Sequence, residues 1–459
     1  MITKVIFFSI FYSMTLFIFV ISFLNSKYNN INYSFINDNS NLGIIHSIII
    51  FFASALLIKY FIYMLLAPWY DFCIARKYSK IKYSYKKKPK VSVLIPAWNE
   101  EVGIVGTIKS VFKNNYPNIE IIVVNDGSTD RTEEVILEYI KKNKSKFSED
   151  GKTIVYEYKE NGGKGKALNR GIEIATGDII LSIDADCLVD KDAVGSFVRY
   201  FDDPEVMAAV GNVKIGDTTS FIGIIQYLEF LFSFYFKKTD ALLGTIYIIG
   251  GAAGAFRREV FQELGNYCTM NITEDIELSM RIQDAGYKIA YAPDAIIYTE
   301  PASDVKGLIS QRFRWKIGRI QTFVRYKKMF FSRKNQHNKI LSFIVLPYSI
   351  FGELQLSLEF LFLGFLYLYA FSTGDLSVFV SGVFIVGFMF FVQVFFDDKK
   401  MKNIYKIYML LLSFIGWILF YVTTYVEVRA LIRSIKTLIF KKEVVWQKWS
   451  RKGIKDSKS

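Results

Sequence analysis

In Asp178-Ile179-Ile180-Leu181-Ser182-Ile183-Asp184-Ala185-Asp186 an apolar run ends on two carboxylates two residues apart. A short, continuous apolar segment of this kind reads as a strand buried on both faces. Two other stretches share the pattern. Val91-Ser92-Val93-Leu94-Ile95-Pro96 is one, and Ile119 to Asn125, followed at once by Asp126, is the other. Helical periodicity fills the gaps between them, over Glu100 to Asn114, Thr129 to Lys144 and Lys164 to Ala175. Strands alternating with helices predict an α/β chain with a doubly wound, mostly parallel sheet. Ligands of such sheets sit beyond the carboxyl ends of the strands, which is where Asp126 and Asp184 stand.

Outside this region the chain is apolar and basic. Of its 459 residues 52% are hydrophobic and 17% aromatic, and the net charge is +14. Val5 to Phe23 is long enough to cross a bilayer. Ser22-Phe23-Leu24-Asn25-Ser26 lacks a small-x-small cleavage pattern, so this run reads as an anchor rather than a signal peptide. A second span is expected from about Ile48 to Ala67, with Lys59 snorkelling. Arg76, Lys77, Lys80, Lys82, Lys86, Lys87, Lys88 and Lys90 follow with no acid among them. Basic residues mark the cytoplasmic side, so residues 91–330 are expected in the cytoplasm and the charge reads as membrane-surface charge, not a nucleic-acid footprint.

Phe221 to Phe236 carries Gln226 and Glu229 and is short for a span, so it reads as a buried or interfacial helix. Ser303 to Tyr326, with Arg312, Arg314, Lys316, Arg319 and Arg325, is expected to lie on the inner membrane face. Further spans are expected within Leu341–Ala370, Leu376–Phe396 and Ile404–Tyr425. Five spans would put the basic tail outside, against its charge; Leu341–Ala370, holding Pro347, Glu353 and Glu359, is therefore open to reading as a re-entrant pair or two short spans. The resulting organisation is two anchoring helices over 1–70, a basic linker over 71–90, an α/β domain over 91–330 ending in the amphipathic helix, a membrane region over 331–430 and a basic tail over 431–459.

The residue inventory narrows the chemistry. His46 and His337 are the only histidines, which excludes a multi-histidine metal site or a histidine-based triad. Cys73, Cys187 and Cys268 are too far apart for a zinc motif and read as buried, reduced thiols. Acid–base work falls to Asp, Glu or Lys. Asp184 and Asp186 point to one side of an extended backbone and suit Mg²⁺ or Mn²⁺ against a diphosphate; a solvated turn is the alternative. Asn125-Asp126-Gly127-Ser128-Thr129-Asp130 is either a turn with a helix cap or part of a nucleotide site. Asn161-Gly162-Gly163-Lys164-Gly165-Lys166 offers glycines for close approach and lysines at a helix start for phosphate, without the spacing of a P-loop. In Thr273-Glu274-Asp275, Thr273 suits an N-cap and Asp275 a general base. In Gln311-Arg312-Phe313-Arg314-Trp315, Arg314 suits a leaving diphosphate and Trp315 a sugar face, or an interfacial anchor.

Taken together and in this order, these motifs resemble those of the processive family 2 glycosyltransferases. The resemblance covers roughly residues 90–320, and the flanking membrane layout is similar too. It implies a GT-A-like nucleotide-diphospho-sugar transferase fold flanked by transmembrane helices. Pro96-Ala97-Trp98-Asn99-Glu100 is similar to the segment that cradles the nucleotide, and Lys164 to Asn169 to the donor segment. Carried over residue by residue, Pro96, Glu100, Asp126, Lys164, Asn169 and Asp184 are implied to bind the UDP-sugar and Asp186 the metal. Glu274 and Asp275 are implied at the catalytic centre with Asp275 the base, and Gln311, Arg314 and Trp315 at the diphosphate and acceptor. Lys164 to Asn169, Gly250-Gly251-Ala252-Ala253-Gly254 and the Gln-Arg-Phe-Arg-Trp form most resemble the poly-β-1,6-N-acetylglucosamine synthases. This implies a UDP-N-acetylglucosamine donor, a growing β-linked glycan acceptor, a lipid bilayer and a small accessory membrane subunit as partners, in a multi-pass protein of the cell membrane. The alternatives are a hyaluronan- or cellulose-type synthase, a non-processive membrane transferase, and a transporter or scaffold with an inactive domain.

Overall fold

The computed structural model describes residues 58–79, 88–149, 151–216, 220–373, 387–391, 393–395, 403–414, 416–440 and 453–454. Its centre is one eight-stranded sheet in the order β3-β2-β1-β4-β7-β6-β8-β5. The strands are β1 Val91–Ala97, β2 Ile119–Asp126, β3 Thr153–Lys159, β4 Ile179–Ser182, β5 Cys187–Val189, β6 Val206–Ile215, β7 Gly254–Arg257 and β8 Lys288–Thr299. The helices alternating with them are α1 Ile104–Phe112, α2 Thr132–Glu149, α3 Lys164–Ile174, α4 Ala193–Val198, α5 Phe221–Leu243, α6 Arg258–Leu264, α7 Glu274–Asp284 and α8 Val305–Arg325.

The half containing β1 to β4 is parallel, as the alternation of strands and helices requires. Side chains of β1 and β2 alternate between two apolar layers. Val91, Val93, Ile95, Ile119, Ile121 and Val123 pack with α1, α2 and α4. Leu94, Ile122 and Val124 pack with α3, α6 and α7. The other half departs from the expected parallel order. β7 runs antiparallel to both β4 and β6, and β5 antiparallel to β8, while β6 and β8 are parallel. Short β5 and β7 carry no long apolar run, so they leave no clear signal in the sequence.

Among the described residues one helix is long and apolar enough to cross a membrane, over Leu341–Gly364, with mean hydropathy 1.4. It begins as a widened turn at Leu341–Val345 and continues as α9, Leu346–Thr373. Pro347 has no N–H for the carbonyl one turn earlier, which accounts for the widening. The segment is a single helix, not the re-entrant pair or two short spans offered above. Two further helices, α10 Asn403–Ser413 and α11 Gly416–Ile439, break the segment expected at Ile404–Tyr425. The expected anchor at Val5 to Phe23, His46, half of the span at Ile48 to Ala67, Lys80, Lys82, Lys86 and Lys87 of the basic linker, most of Leu376–Phe396 and most of the basic tail lie outside the described residues.

Helix α5 extends beyond the expected Phe221–Phe236. Ser220 Oγ accepts from Gly223 N at 3.0 Å to start it, and Gly244, at φ +68°, ends it. Asp304 starts α8 in the same way, accepting from Gly307 N at 2.7 Å. Two cations in the middle of α8 do not face outward, whereas Lys306 and Arg325 at its ends are exposed. Arg312 and Lys316 are buried, and their charged ends meet carboxylates of other helices.

Candidate active site

Loops from the carboxyl ends of β1, β2 and β4 meet the starts of α3 and α7 on one side of the sheet. The loop after β1 and the loop after β2 are tied together. Asn99 takes a left-handed backbone, φ +56°, that asparagine tolerates better than most residues. Its N–H donates to Ser128 Oγ at 2.9 Å, and its side-chain oxygen accepts from Thr129 N at 2.7 Å. Glu100 N donates to Thr132 Oγ1 at 2.8 Å. Pro96 and Glu100 therefore flank a pre-formed double loop. Asp130, not Ser128 or Thr129, accepts from Thr132 N at the start of α2.

Asp126, the last residue of β2, is buried. Its carboxylate accepts from Gly162 N at 3.0 Å and Gly163 N at 2.8 Å, and pairs with Lys159. Its carbonyl accepts from Asn161 Nδ2 at 2.9 Å. A Cβ on Gly127 would lie 2.6 Å from Asn161 N, and its φ of +66° also requires glycine. Asp126 thus fixes the glycine turn that leads into α3.

Lys164 opens α3 and joins the carboxylates. It pairs with Asp184 and lies 3.5 Å from Glu274. Burial would lower the Lys164 amine, but Asp184, Glu274 and Asp275 outweigh it and hold the amine above its ordinary value. Burial raises Glu274 to about 7, opposed by Lys164 and helped by the charge of Asp275. Burial likewise raises Asp275, again opposed by Lys164. Both Asp275 oxygens are oriented by backbone: Oδ1 accepts from Ile276 N at 2.8 Å and Oδ2 from Gly251 N at 2.7 Å. A Cβ on Gly251 would stand 2.6 Å from Lys164 Nζ, so a side chain here would push the lysine from its place.

β4 ends at Ser182, so Asp184 and Asp186 sit in a turn rather than on an extended strand. Thr107 Oγ1 donates to Ala185 O at 2.7 Å, which fixes that turn against α1. Cys187 Sγ donates to Asp186 Oδ1 at 3.4 Å. Among the described residues no group of three or more His, Cys, Asp or Glu side chains surrounds one point. Mg²⁺ and Mn²⁺ sites shared with a diphosphate need only one or two carboxylates, so Asp186 beside Asp184 fits such an ion.

Helix α8 closes the site from the other side. Gly318 lies so near Thr273 that an added Cβ would fall 2.1 Å from Thr273 Oγ1. Asn271 Nδ2 donates to Thr322 Oγ1 at 2.8 Å, a second tie between α8 and the start of α7. Thr273 occupies the N-cap position of α7, but its side chain makes no capping hydrogen bond there; its hydroxyl is 3.3 Å from Asn271 Oδ1. Gln311 Oε1 is buried and accepts no hydrogen bond from the described residues, as expected of a group that meets a polar ligand. Arg314 is half-buried, and Trp315 keeps an exposed face while the Arg312 guanidinium stacks 4.4 Å from its ring centre.

Asn169 is committed elsewhere. Its side chain donates to Tyr267 O at 3.0 Å and accepts from Tyr267 N at 2.9 Å, so it braces the loop before Thr273 instead of reaching a donor. Of the cysteines only Cys187 is buried; Cys73 is exposed and Cys268 partly so. Lys159 and Gly318 were not evident in the sequence, and Gly251 entered only as part of a segment that carries the resemblance. Each is an ordinary residue in sequence, and only the approach of a distant loop makes it part of the site.

Residues 92–265 match the family described as glycosyl transferase family 2, and residues 179–426 the one described as glycosyl transferase family group 2. The poly-beta-1,6-N-acetyl-D-glucosamine synthase of Staphylococcus aureus (strain COL) is 34% identical over 256 residues, covering 54% of this chain and 60% of the relative. That of Staphylococcus epidermidis is 32% identical over 247 residues, covering 53% and 58%. The chain thus spans about 60% of the length of the curated relatives it matches. Among solved structures, a mannosyltransferase from Pyrobaculum calidifontis in complex with GDP-Man and Mn²⁺ covers 86% of this chain and 100% of its own, with a TM-score of 0.53 and 20% identity. That likeness shows the fold, a mixed α/β GT-A-like sheet. With more than half of its length matched, the chain belongs to glycosyl transferase family group 2.

Proposed function

We propose that this chain is an inverting N-acetylglucosaminyltransferase of the cell membrane. It passes the sugar of UDP-N-acetylglucosamine to the end of a growing β-linked polysaccharide, processively and from the cytoplasmic side. One observation carries the reading of the chemistry: Asp275 is a partly buried carboxylate, raised above its ordinary value by loss of water and aimed by two backbone N–H groups, beside a lysine-centred cluster at the strand ends. The choice of sugar and of polymer rests on the similarity to the staphylococcal synthases.

In this reading the double loop at Pro96 to Glu100 receives the nucleotide, and Lys164 and Arg314 balance the negative charge of the diphosphate. A Mg²⁺ or Mn²⁺ ion held by Asp186 would neutralise the leaving diphosphate. The acceptor hydroxyl gives its proton to Asp275 as its oxygen bonds to the anomeric carbon. The bond from that carbon to the diphosphate breaks, UDP leaves, and the configuration inverts. Each oxygen of Asp275 spends one acceptor site on an N–H and keeps another for the hydroxyl. Trp315 presents a flat face to the glycan, and the apolar helix at Leu341–Gly364 supports a membrane setting.

The test is to incubate membranes containing the intact chain with a panel of radiolabelled UDP-sugars and Mg²⁺ or Mn²⁺, then size the product and determine its linkage. A β-linked polymer of N-acetylglucosamine is expected. A single-sugar adduct as sole product would reject processivity, and transfer from no UDP-sugar would reject the transferase reading.

A further inference from the structure

The face of α8 next to the one that meets Thr273 carries three cations spaced as on a helix stripe: Arg312, Lys316 and Arg319. Gln311, Arg314, Trp315 and Gly318 lie roughly a third of a turn away around the same helix. The three cations meet three carboxylates, each from a different helix: Glu229 of α5, Glu353 of α9 and Glu427 of α11.

The contacts form an unbroken alternating chain. Glu229 lies 2.6 Å from Arg312 Nη2, and Arg312 Nε 3.4 Å from Glu427. Glu427 lies 2.7 Å from Lys316, and Lys316 2.9 Å from Glu353. Glu353 then pairs with Arg319. Arg312 and Lys316 are buried. Buried cations of this kind are stable only with every partner in place, and the removal of one partner disturbs the rest. At one end the cluster touches a group of the transfer site directly, through the Arg312 guanidinium stacked on Trp315. At the other, Glu353 belongs to the helix apolar enough to cross a membrane.

We propose that Arg312, Lys316 and Arg319, locked by Glu229, Glu353 and Glu427, are positioning residues that set the placement of Gln311, Arg314 and Trp315 over the carboxylate cluster. They hold it through α5, α9 and α11. The proposal rests on the transferase reading above. In it the six charged groups take no part in the chemistry. They fix the height and rotation of α8 relative to the apolar helices, so a displacement of those helices moves the acceptor side of the site while the nucleotide side, built from the ends of β1 and β2, stays in place.

The experiment uses the intact chain in membranes. kcat and KM for the nucleotide sugar are measured together with UDP affinity, for Glu427→Gln, Glu353→Gln, Glu353→Asp, Arg312→Gln, Glu229→Gln and the Arg312→Gln/Glu229→Gln pair. Glu427→Gln and Glu353→Gln are expected to lower kcat about 10- to 100-fold, the cost of a misplaced reacting group, with UDP affinity within about twofold of wild type. Glu353→Asp, which keeps the charge, is expected to recover part of the loss. The double variant is expected to be no worse than the more damaged single one, because the two changes remove the same contact. Unchanged kcat in both Gln variants overturns the proposal. So does a parallel loss of kcat and UDP affinity, which would mark a merely structural role. Inactivity of the wild type toward every nucleotide sugar would instead reject the transferase reading.

Discussion

Gly318→Ala probes the approach of α8 to the carboxylates with the smallest possible change. The added Cβ would lie 2.1 Å from Thr273 Oγ1, 2.5 Å from its Cγ2 and 2.7 Å from its Cβ. Carbon atoms in contact sit about 3.5–4.0 Å apart, so α8 must retreat by roughly 1 Å. Overpacking of this kind costs about 1–3 kcal/mol of stability. The larger effect falls on turnover, because the same helix carries Gln311, Arg314 and Trp315. A displacement of about 1 Å at a reacting site costs roughly 100-fold, or about 2.7 kcal/mol on the barrier. The assay is release of UDP from the sugar nucleotide by membranes with matched amounts of each variant, with UDP affinity measured separately. A loss of kcat with UDP affinity retained is expected. Gly364→Ala is the control, since nothing among the described residues lies within 4 Å of a Cβ there, and it is expected to keep wild-type turnover. Wild-type kcat in Gly318→Ala would refute the placement of α8 against Thr273 as a condition of activity.

Asp126→Asn should lower stability by about 3 kcal/mol, as loss of one partner of a buried pair does, because Lys159 and the turn at Gly162-Gly163 lose their anchor; thermal unfolding in detergent reads this. The acid limb of kcat should lie nearer neutrality than for an exposed aspartate, because the base works ionised and burial raises the carboxyl of Asp275; a pH–rate profile with its acid limb near 4 would contradict this. Stability should move with pH as well. The carboxyl of Glu274 is raised from 4.5 to about 7, so folding favours its protonated form, and that contribution is present below about 4.5 and lost as pH rises toward 7. Glu274→Gln should flatten this slope in the ligand-free protein. EDTA should stop transfer, Mg²⁺ or Mn²⁺ should restore it, and Asp186→Ala should raise the ion concentration needed for half-maximal rate.

The parts of the fold legible in the sequence are those with continuous or strictly periodic apolar character. The strands leading to Asp126 and Asp184 are buried along their length, and the helices after them show one apolar face, so both their type and their order could be read. The antiparallel strands β5 and β7 could not, because three or four residues carry no periodicity and their pairing is set by distant segments. The site shows the same division. Lys164, Asp184, Glu274 and Asp275 come together, and each stood in a motif of recognisable chemistry. The burial of Arg312 and Lys316 of α8 was not legible because their partners lie far off in the chain. Glu229 is 83 residues from Arg312, and Glu353 is 37 from Lys316. Asn169 was implied as a donor ligand by the resemblance alone; that it spends both its atoms on the backbone of Tyr267 depends on a loop closing from 98 residues away.

The central claim is that Asp275 takes the proton of the acceptor hydroxyl. Asp275→Asn keeps the shape and an acceptor oxygen but cannot take up that proton, so kcat should fall about 10²- to 10⁴-fold, the range general bases contribute. The measurement is single-turnover transfer from radiolabelled UDP-N-acetylglucosamine by the variant in membranes, with UDP binding followed in parallel. Near-complete loss of transfer with UDP binding intact is the expected result. Transfer at the wild-type rate would contradict the account.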